Sequence, residues 1–130
     1  SNRVSLSING AQIMNYFPNG NSLPNIPQTL FNLFINYRPI ESGLLFFHWR
    51  RVGHMYIDKE NTEAGMIDPY GILNIGFKYQ WKKLNVMLKI NNALDKLYST
   101  YGYSYEWDGY QAYYWPGATR NTYISFSYSF

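Results

Sequence analysis

The chain ends on an unbroken alternation: Ile124, Phe126, Tyr128 and Phe130 on one parity, Tyr123, Ser125, Ser127 and Ser129 on the other. Successive side chains of an extended strand point to opposite faces, so this pattern predicts a strand with one apolar and one polar face. The same pattern recurs upstream. Residues 3–13 set Val4, Leu6 and Ile8 against Ser5, Ser7 and Asn9, and residues 28–38 set Phe31, Leu33, Ile35 and Tyr37 against Asn32, Phe34 and Asn36. Residues 43–52 set Leu45, Phe47 and Trp49 against Phe46, His48 and Arg50. Residues 71–81 set Leu73, Ile75, Phe77, Tyr79 and Trp81 against Asn74, Gly76, Lys78 and Gln80. Residues 84–92 set Leu84, Val86, Leu88 and Ile90 against Asn85, Met87, Lys89 and Asn91, and residues 119–130 close the series. The expected fold is all-β, an antiparallel up-and-down meander of six long strands.

Strands of about 9–11 residues are what a tilted transmembrane β-strand needs, and are long for an ordinary sheet. The charges are sorted to match: Arg50, Lys78 and Lys89 all lie on the polar parity. A Lys or Arg at the lipid midplane costs about 2–4 kcal/mol, which supplies a reason for the sorting. Arg51 shares the apolar parity but stands at a strand end, where a long side chain reaches water. The mean hydropathy of -0.36 does not oppose a membrane location, because only alternate residues of a transmembrane barrel need be apolar. Long connections at 15–27, 53–70 and 93–118 alternate with short turns at 39–42 and 82–83, the asymmetry of an outer-membrane barrel. The last strand descends from a long connection, so Phe130 is expected on the periplasmic side. Six strands are too few to close a membrane barrel, and an open sheet in lipid leaves costly unpaired edges. Residues 1–130 are therefore expected to be one end of a larger barrel. The chain starts Ser-Asn rather than Met.

Aromatic residues make up 20% of the chain, a composition suited to strands and membrane interfaces. Cysteine is absent, which excludes disulfides and Cys-ligated metals. The net charge of +3 is scattered rather than clustered, so no nucleic-acid partner is expected. No nucleophile–His–acid set and no phosphate-binding glycine loop is present, and no enzymatic activity or cofactor is expected.

Four stretches resemble the C-terminal region of TonB-dependent outer-membrane receptors. Asn91-Asn92-Ala93-Leu94-Asp95-Lys96-Leu97-Tyr98 is similar to that family's Asn-Asn-Leu-Phe-Asp-Lys-x-Tyr, with Ala and Leu where Leu and Phe are usual. Pro116-Gly117-Ala118-Thr119-Arg120 resembles its Pro-Gly-x-x-Arg, and Leu23-Pro24-Asn25-Ile26-Pro27 its Leu-Pro-Asn-Val-Pro. Tyr56-Ile57-Asp58-Lys59-Glu60-Asn61 resembles its Tyr-x-Asp-x-x-Asn. The resemblance implies the last strands of a 22-stranded barrel whose plug domain and TonB-contacting box lie outside this chain. It further implies uptake of a scarce nutrient, a ferric siderophore or similar chelate first, with cobalamin, haem or an oligosaccharide as alternative cargo. A plug-less structural or adhesive barrel and a soluble β-barrel or sandwich are the competing readings.

Candidate ligand contacts are the loop aromatics Tyr103, Tyr105, Trp107, Tyr110 and Tyr113, which suit ring stacking on a chelate or sugar, or packing within an aromatic girdle. Asn32, Asn36, His48, Arg50, Asn74, Lys78 and Lys89 are expected to face the lumen, lining the uptake path or, as the resemblance implies first, contacting the plug. Asp58, Glu60, Glu63 and Asp68 crowd one loop, but their spacing matches no calcium loop, and His48 and His54 lack a third ligand. No metal site is assigned. Ile124, Phe126, Tyr128 and Phe130 resemble the signal read by the barrel-assembly machinery, and their outward neighbour is expected to be outer-membrane lipid.

Overall fold

A computed structural model describes residues 3–130. The strands in chain order are β1 (Val4–Gln12), β2 (Thr29–Ile40), β3 (Gly43–Val52), β4 (Met55–Tyr56), β5 (Met66–Ile67), β6 (Tyr70–Trp81), β7 (Leu84–Asn91), β8 (Ser99–Glu106), β9 (Tyr110–Pro116) and β10 (Asn121–Tyr128). One antiparallel sheet runs β1-β2-β3-β6-β7-β10, and β4-β5 and β8-β9 are separate hairpins. These six long strands are the six that alternation predicts, within two residues at nearly every end. The sheet is open: the outer edges of β1 and β10 have no partner among the described residues.

The register turns six separate alternations into one continuous surface. Leu6, Ile35, Phe47, Ile75 and Ile90 stand directly opposite one another across five strands. A second row joins Val4, Tyr37, Leu45, Phe77, Leu88 and Ile124. Because side chains alternate strictly, a one-residue slip in any pair would interrupt these rows with polar groups. The opposite face carries Ser7, Phe34, His48 and Asn74 in one row. Gly76 serves close approach there: a Cβ would fall within the Phe46 ring, which lies flat across the strand.

Two boundaries differ from the alternation reading. β2 continues to Ile40, because a register shift between Tyr37 and Ile40 places Pro39 where no ladder N–H is required. β10 begins at Asn121 rather than Thr119, since the Arg120 N–H is taken by the Asp95 Oδ1 at 2.8 Å. Ser129 N–H donates to the Lys83 carbonyl at 3.0 Å, so the chain end lies beside the short β6–β7 turn.

The core is displaced from the middle of the sheet. Val52, Met55, Ile57, Ile67, Tyr70 and Ile72 are buried together, with Leu30, Tyr98 and Ala112 packed against them. Leu30, Val52 and Tyr70 are directly opposite one another on the polar-parity face at the loop end. The long connections thus fold onto that end and bury it, while the apolar face stays uncovered. No helix among the described residues is long and apolar enough to cross a membrane.

Candidate functional site

The connections at the loop end are fastened by asparagines in left-handed backbone conformations. Asn25 (φ 59), Asn61 (φ 56) and Asn92 (φ 49) use a conformation that asparagine tolerates better than most residues. Asn25 exchanges two hydrogen bonds with the Gly102 backbone, both 2.9 Å, joining connections 77 residues apart. Asn61 Nδ2 donates to the Ser22 carbonyl at 3.0 Å, and its Oδ1 accepts from Ser22 N–H at 2.6 Å. Asn92 is 2% exposed. Its Nδ2 donates to the carbonyls of Lys96 (2.9 Å) and Ala118 (3.1 Å), its Oδ1 accepts from Lys96 N–H (2.9 Å), and its own N–H donates to Asn74 Oδ1 (3.0 Å). Gly117 completes this clasp, since a Cβ there would overlap the Tyr98 ring. The four sequence motifs therefore share a physical role in fastening the connections: Asn25 and Asn61 tie one connection to another, while the 91–98 and 116–120 stretches hold the two ends of a single connection together.

Asp58 is the charged centre of the array and is 5% exposed. Its carboxylate accepts from Thr62 N–H at 3.0 Å, from Thr62 Oγ1 at 2.6 Å and from the Tyr110 hydroxyl. Gly65 leaves the room, as a Cβ there would collide with both Asp58 and Tyr110. Burial pushes the carboxyl pKa up, but the hydrogen bonds from Thr62 and Tyr110 outweigh it and hold Asp58 below the usual carboxylate value of 3.8. Burial and the neighbouring Asp58 raise the Tyr110 phenol. A depressed folded pKa stabilises above the unfolded pKa and is lost as pH falls through the folded one. The tie between the 53–69 connection and the β8-β9 hairpin is thus expected to hold at about pH 5–7 and to open only below the ordinary carboxylate range. Hydrogen exchange at Thr62 and Gly65 against pH checks this, and Asp58→Asn should flatten the acid-side dependence.

The 93–118 connection is a hairpin rather than an irregular loop, and it sorts its aromatics. Tyr103 is directly opposite Tyr113, and Tyr101 opposite Trp115. On that face Tyr103 and Tyr113 stack with centroids 5.2 Å apart, Tyr105 and Tyr113 stack at 5.6 Å, and Trp115 leans on Tyr103 at 5.4 Å. The Tyr105 and Tyr113 hydroxyls are 3.2 Å apart, a hydrogen bond that raises the Tyr105 phenol. Tyr101, Tyr103, Tyr105, Tyr113 and Trp115 are all exposed, and Trp107 at the hairpin tip is 92% exposed. The other face turns to the core: Tyr110 meets Asp58, and Tyr114 donates to the Ala64 carbonyl at 2.6 Å. Of the five loop aromatics singled out from sequence, the structure brings Tyr103, Tyr105 and Tyr113 together, leaves Trp107 at the tip, and commits the Tyr110 hydroxyl to Asp58. Tyr101 and Trp115 complete the ladder. Asp108-Gly109 (Gly109 φ 91) was the available signal for this hairpin, since Asp-Gly between alternating segments favours a tight turn.

The polar face of the long sheet holds Asn32, Asn36, His48, Arg50, Asn74, Lys78 and Lys89, all on one side by register. His48 Nε2 lies 3.0 Å from Asn32 Oδ1 and its ring stacks on Phe34 at 4.2 Å. Asn32 donates to Asn9 Oδ1 at 3.0 Å, Asn36 to Ser5 Oγ at 3.3 Å, and the Lys78 ammonium lies 5.7 Å above the Phe46 ring. Among the described residues no group of three His, Asp or Glu is arranged to hold a metal ion. Between the two loop hairpins a cleft of about 600 Å³ is lined by Asp68, Tyr70, Lys96, Tyr98, Tyr114 and Thr119. Sequence alternation carries no signal for it.

No described protein family and no curated protein matches the sequence. Solved structures do match. The ferric yersiniabactin uptake receptor FyuA from Yersinia pestis is 22% identical over 97% of this chain and 21% of its own, with a TM-score of 0.81. The ferric enterobactin receptor PfeA is 18% identical over 100% of this chain and 21% of its own, with a TM-score of 0.81. The siderophore receptor PiuA from Acinetobacter baumannii is 23% identical over 82% of this chain and 14% of its own, with a TM-score of 0.70. This chain has the fold of a receptor-barrel segment. It spans about a fifth or less of the receptors it matches. The likeness bears out the six-stranded antiparallel reading and the resemblance drawn from the four motifs, at the level of fold.

Proposed function

We propose that this chain is part of the wall of a TonB-dependent outer-membrane barrel that takes up a ferric siderophore or similar chelate. The observation that carries the reading is the uncovered apolar face, free of charge at mid-strand, of a sheet whose fold matches siderophore receptors. Such a face requires lipid or a second apolar layer, and the long loop-end connections cover only the opposite side. The open edges of β1 and β10 would leave backbone groups unpaired in hydrocarbon, at several kcal/mol each, so further strands complete the barrel. In this reading residues 1–130 form its last strands, the polar face meets a plug domain that also engages the TonB complex, and Phe130 lies at the periplasmic end. The β10 edge with Ile124, Phe126, Tyr128 and Phe130 then serves pairing by the assembly machinery.

The aromatic ladder is the candidate ligand surface on the outer side. Each stacked ring contributes about 0.5–1.5 kcal/mol beyond its buried area, so Tyr103→Ala or Tyr113→Ala should weaken binding roughly fivefold. Isothermal titration of the full-length receptor with a panel of ferric chelates is the test. Affinity for none of them would overturn the siderophore reading. The stacked phenols favour one alternative, an oligosaccharide cargo, because sugar rings pack on flat aromatics. Binding of a glycan series, weakened by the same two substitutions, would decide for it.

A further inference from the structure

The apolar face carries a single charge. Arg51 stands at its loop end, exposed, directly opposite Phe31 on β2 and Gly71 on β6. Trp49 lies beside it on the same face, its indole edge-on to Phe31 with centroids 5.7 Å apart. The indole Nε1 reaches over Gly71, where an added Cβ would stand 2.9 Å from it. Glycine at 71, directly opposite Arg51, therefore leaves room for the indole N–H at that position. Neither the guanidinium nor the indole N–H has a hydrogen-bond or ion-pair partner among the described residues, whose one salt bridge is Arg120–Asp95. From this point an apolar track runs toward mid-sheet through Leu33 and Leu73.

We propose that Arg51 and Trp49 bind the anionic headgroup phosphate of a membrane lipid whose acyl chains lie along Leu33 and Leu73. The proposal rests on the reading of this face as lipid-facing. Two features of the ligand follow from the surface. The planar guanidinium presents paired donors that match phosphate oxygens, and the indole adds one more. The apolar track directly below satisfies acyl chains, which a free anion does not have. The position also agrees with energetics: a cation on a lipid-facing strand is costly at the midplane and tolerated near the interface. Trp favours that same interface.

The test uses the full-length protein, purified in neutral detergent and stripped of lipid, with native mass spectrometry reading lipid adducts. The probes are phosphatidylglycerol and phosphatidylcholine with identical acyl chains. Arg51→Gln is expected to weaken phosphatidylglycerol about fivefold, with little change for phosphatidylcholine. Arg51→Lys should recover part of the loss, and Gly71→Ala should weaken binding by displacing the indole. Equal phosphatidylglycerol binding by the wild type and Arg51→Gln would overturn the proposal, as would displacement of the lipid by equimolar inorganic phosphate. A spin label at Ile35→Cys separates this failure from a larger one. A label in lipid with Arg51→Gln unaffected removes only the headgroup site. A label in water removes the lipid-facing reading as well.

Discussion

Asn92→Ala is expected to loosen both ends of the 93–120 segment, at a cost of about 3 kcal/mol. The side chain makes three hydrogen bonds to backbone groups of Lys96 and Ala118, and the residue is 2% exposed. A buried polar group left unpaired costs about 1–3 kcal/mol, and alanine strands three at once. It also has to hold φ 49, which asparagine and glycine tolerate better. Asn92→Gly restores the backbone conformation but not the hydrogen bonds, so it should recover only a minor part of the loss. Hydrogen exchange is the measurement. In Asn92→Ala the amides of Lys96 and Gly117 should exchange faster, while the β8-β9 hairpin, still held by Asn25 on Gly102 and Tyr110 on Asp58, and β2, β3 and β6 stay protected. Unchanged protection of Lys96 and Gly117 would show that the clasp does not hold these two ends together.

Leu88→Lys is expected to block accumulation of folded barrel in the outer membrane. Leu88 sits mid-strand, between Phe77 and Ile124 on the apolar face. A lysine at lipid midplane costs about 2–4 kcal/mol, a large share of a typical margin of 5–15 kcal/mol. Met87→Lys, one residue earlier, places the same charge on the opposite face between Lys78 and Ser125 and should fold normally apart from mild repulsion by Lys78. Heat-modifiable mobility of the membrane fraction compares the two. Equal yields from both variants would contradict the assignment of faces, since nothing but parity distinguishes the positions.

Strand alternation is a local property, and it was legible wherever one strand face meets a different medium from the other. The six long strands, their faces and the sorting of Arg50, Lys78 and Lys89 follow from a period of two and the cost of burying charge. The Pro39 bulge and the late start of β10 escaped that reading because each depends on a partner strand or on a side chain as distant as Asp95. The hairpin inside 93–118 escaped it for a different reason. Its aromatics occur on both parities, so composition suggested a loop, although Asp108-Gly109 marked the turn.

The motif residues show the division between sequence and tertiary structure most sharply. Asn25, Asp58, Asn61 and Asn92 stand out in the chain, yet nothing local says whether such residues meet a ligand, solvent or one another. Folding brings Asn25 to Gly102, Asp58 to Tyr110 and Asn92 to Ala118, and so commits them to holding connections together. The same packing chose which hydroxyls are committed, turning Tyr110 to Asp58 and Tyr114 to the Ala64 carbonyl, and Tyr103, Tyr105 and Tyr113 to the opposite, exposed face of the hairpin. Thus the sequence by itself determined the strands, their two faces and the medium each face suits, because those depend on residue order along one extended segment. Only the tertiary structure decided which side chains remain free to bind, because that depends on contacts between segments up to 77 residues apart.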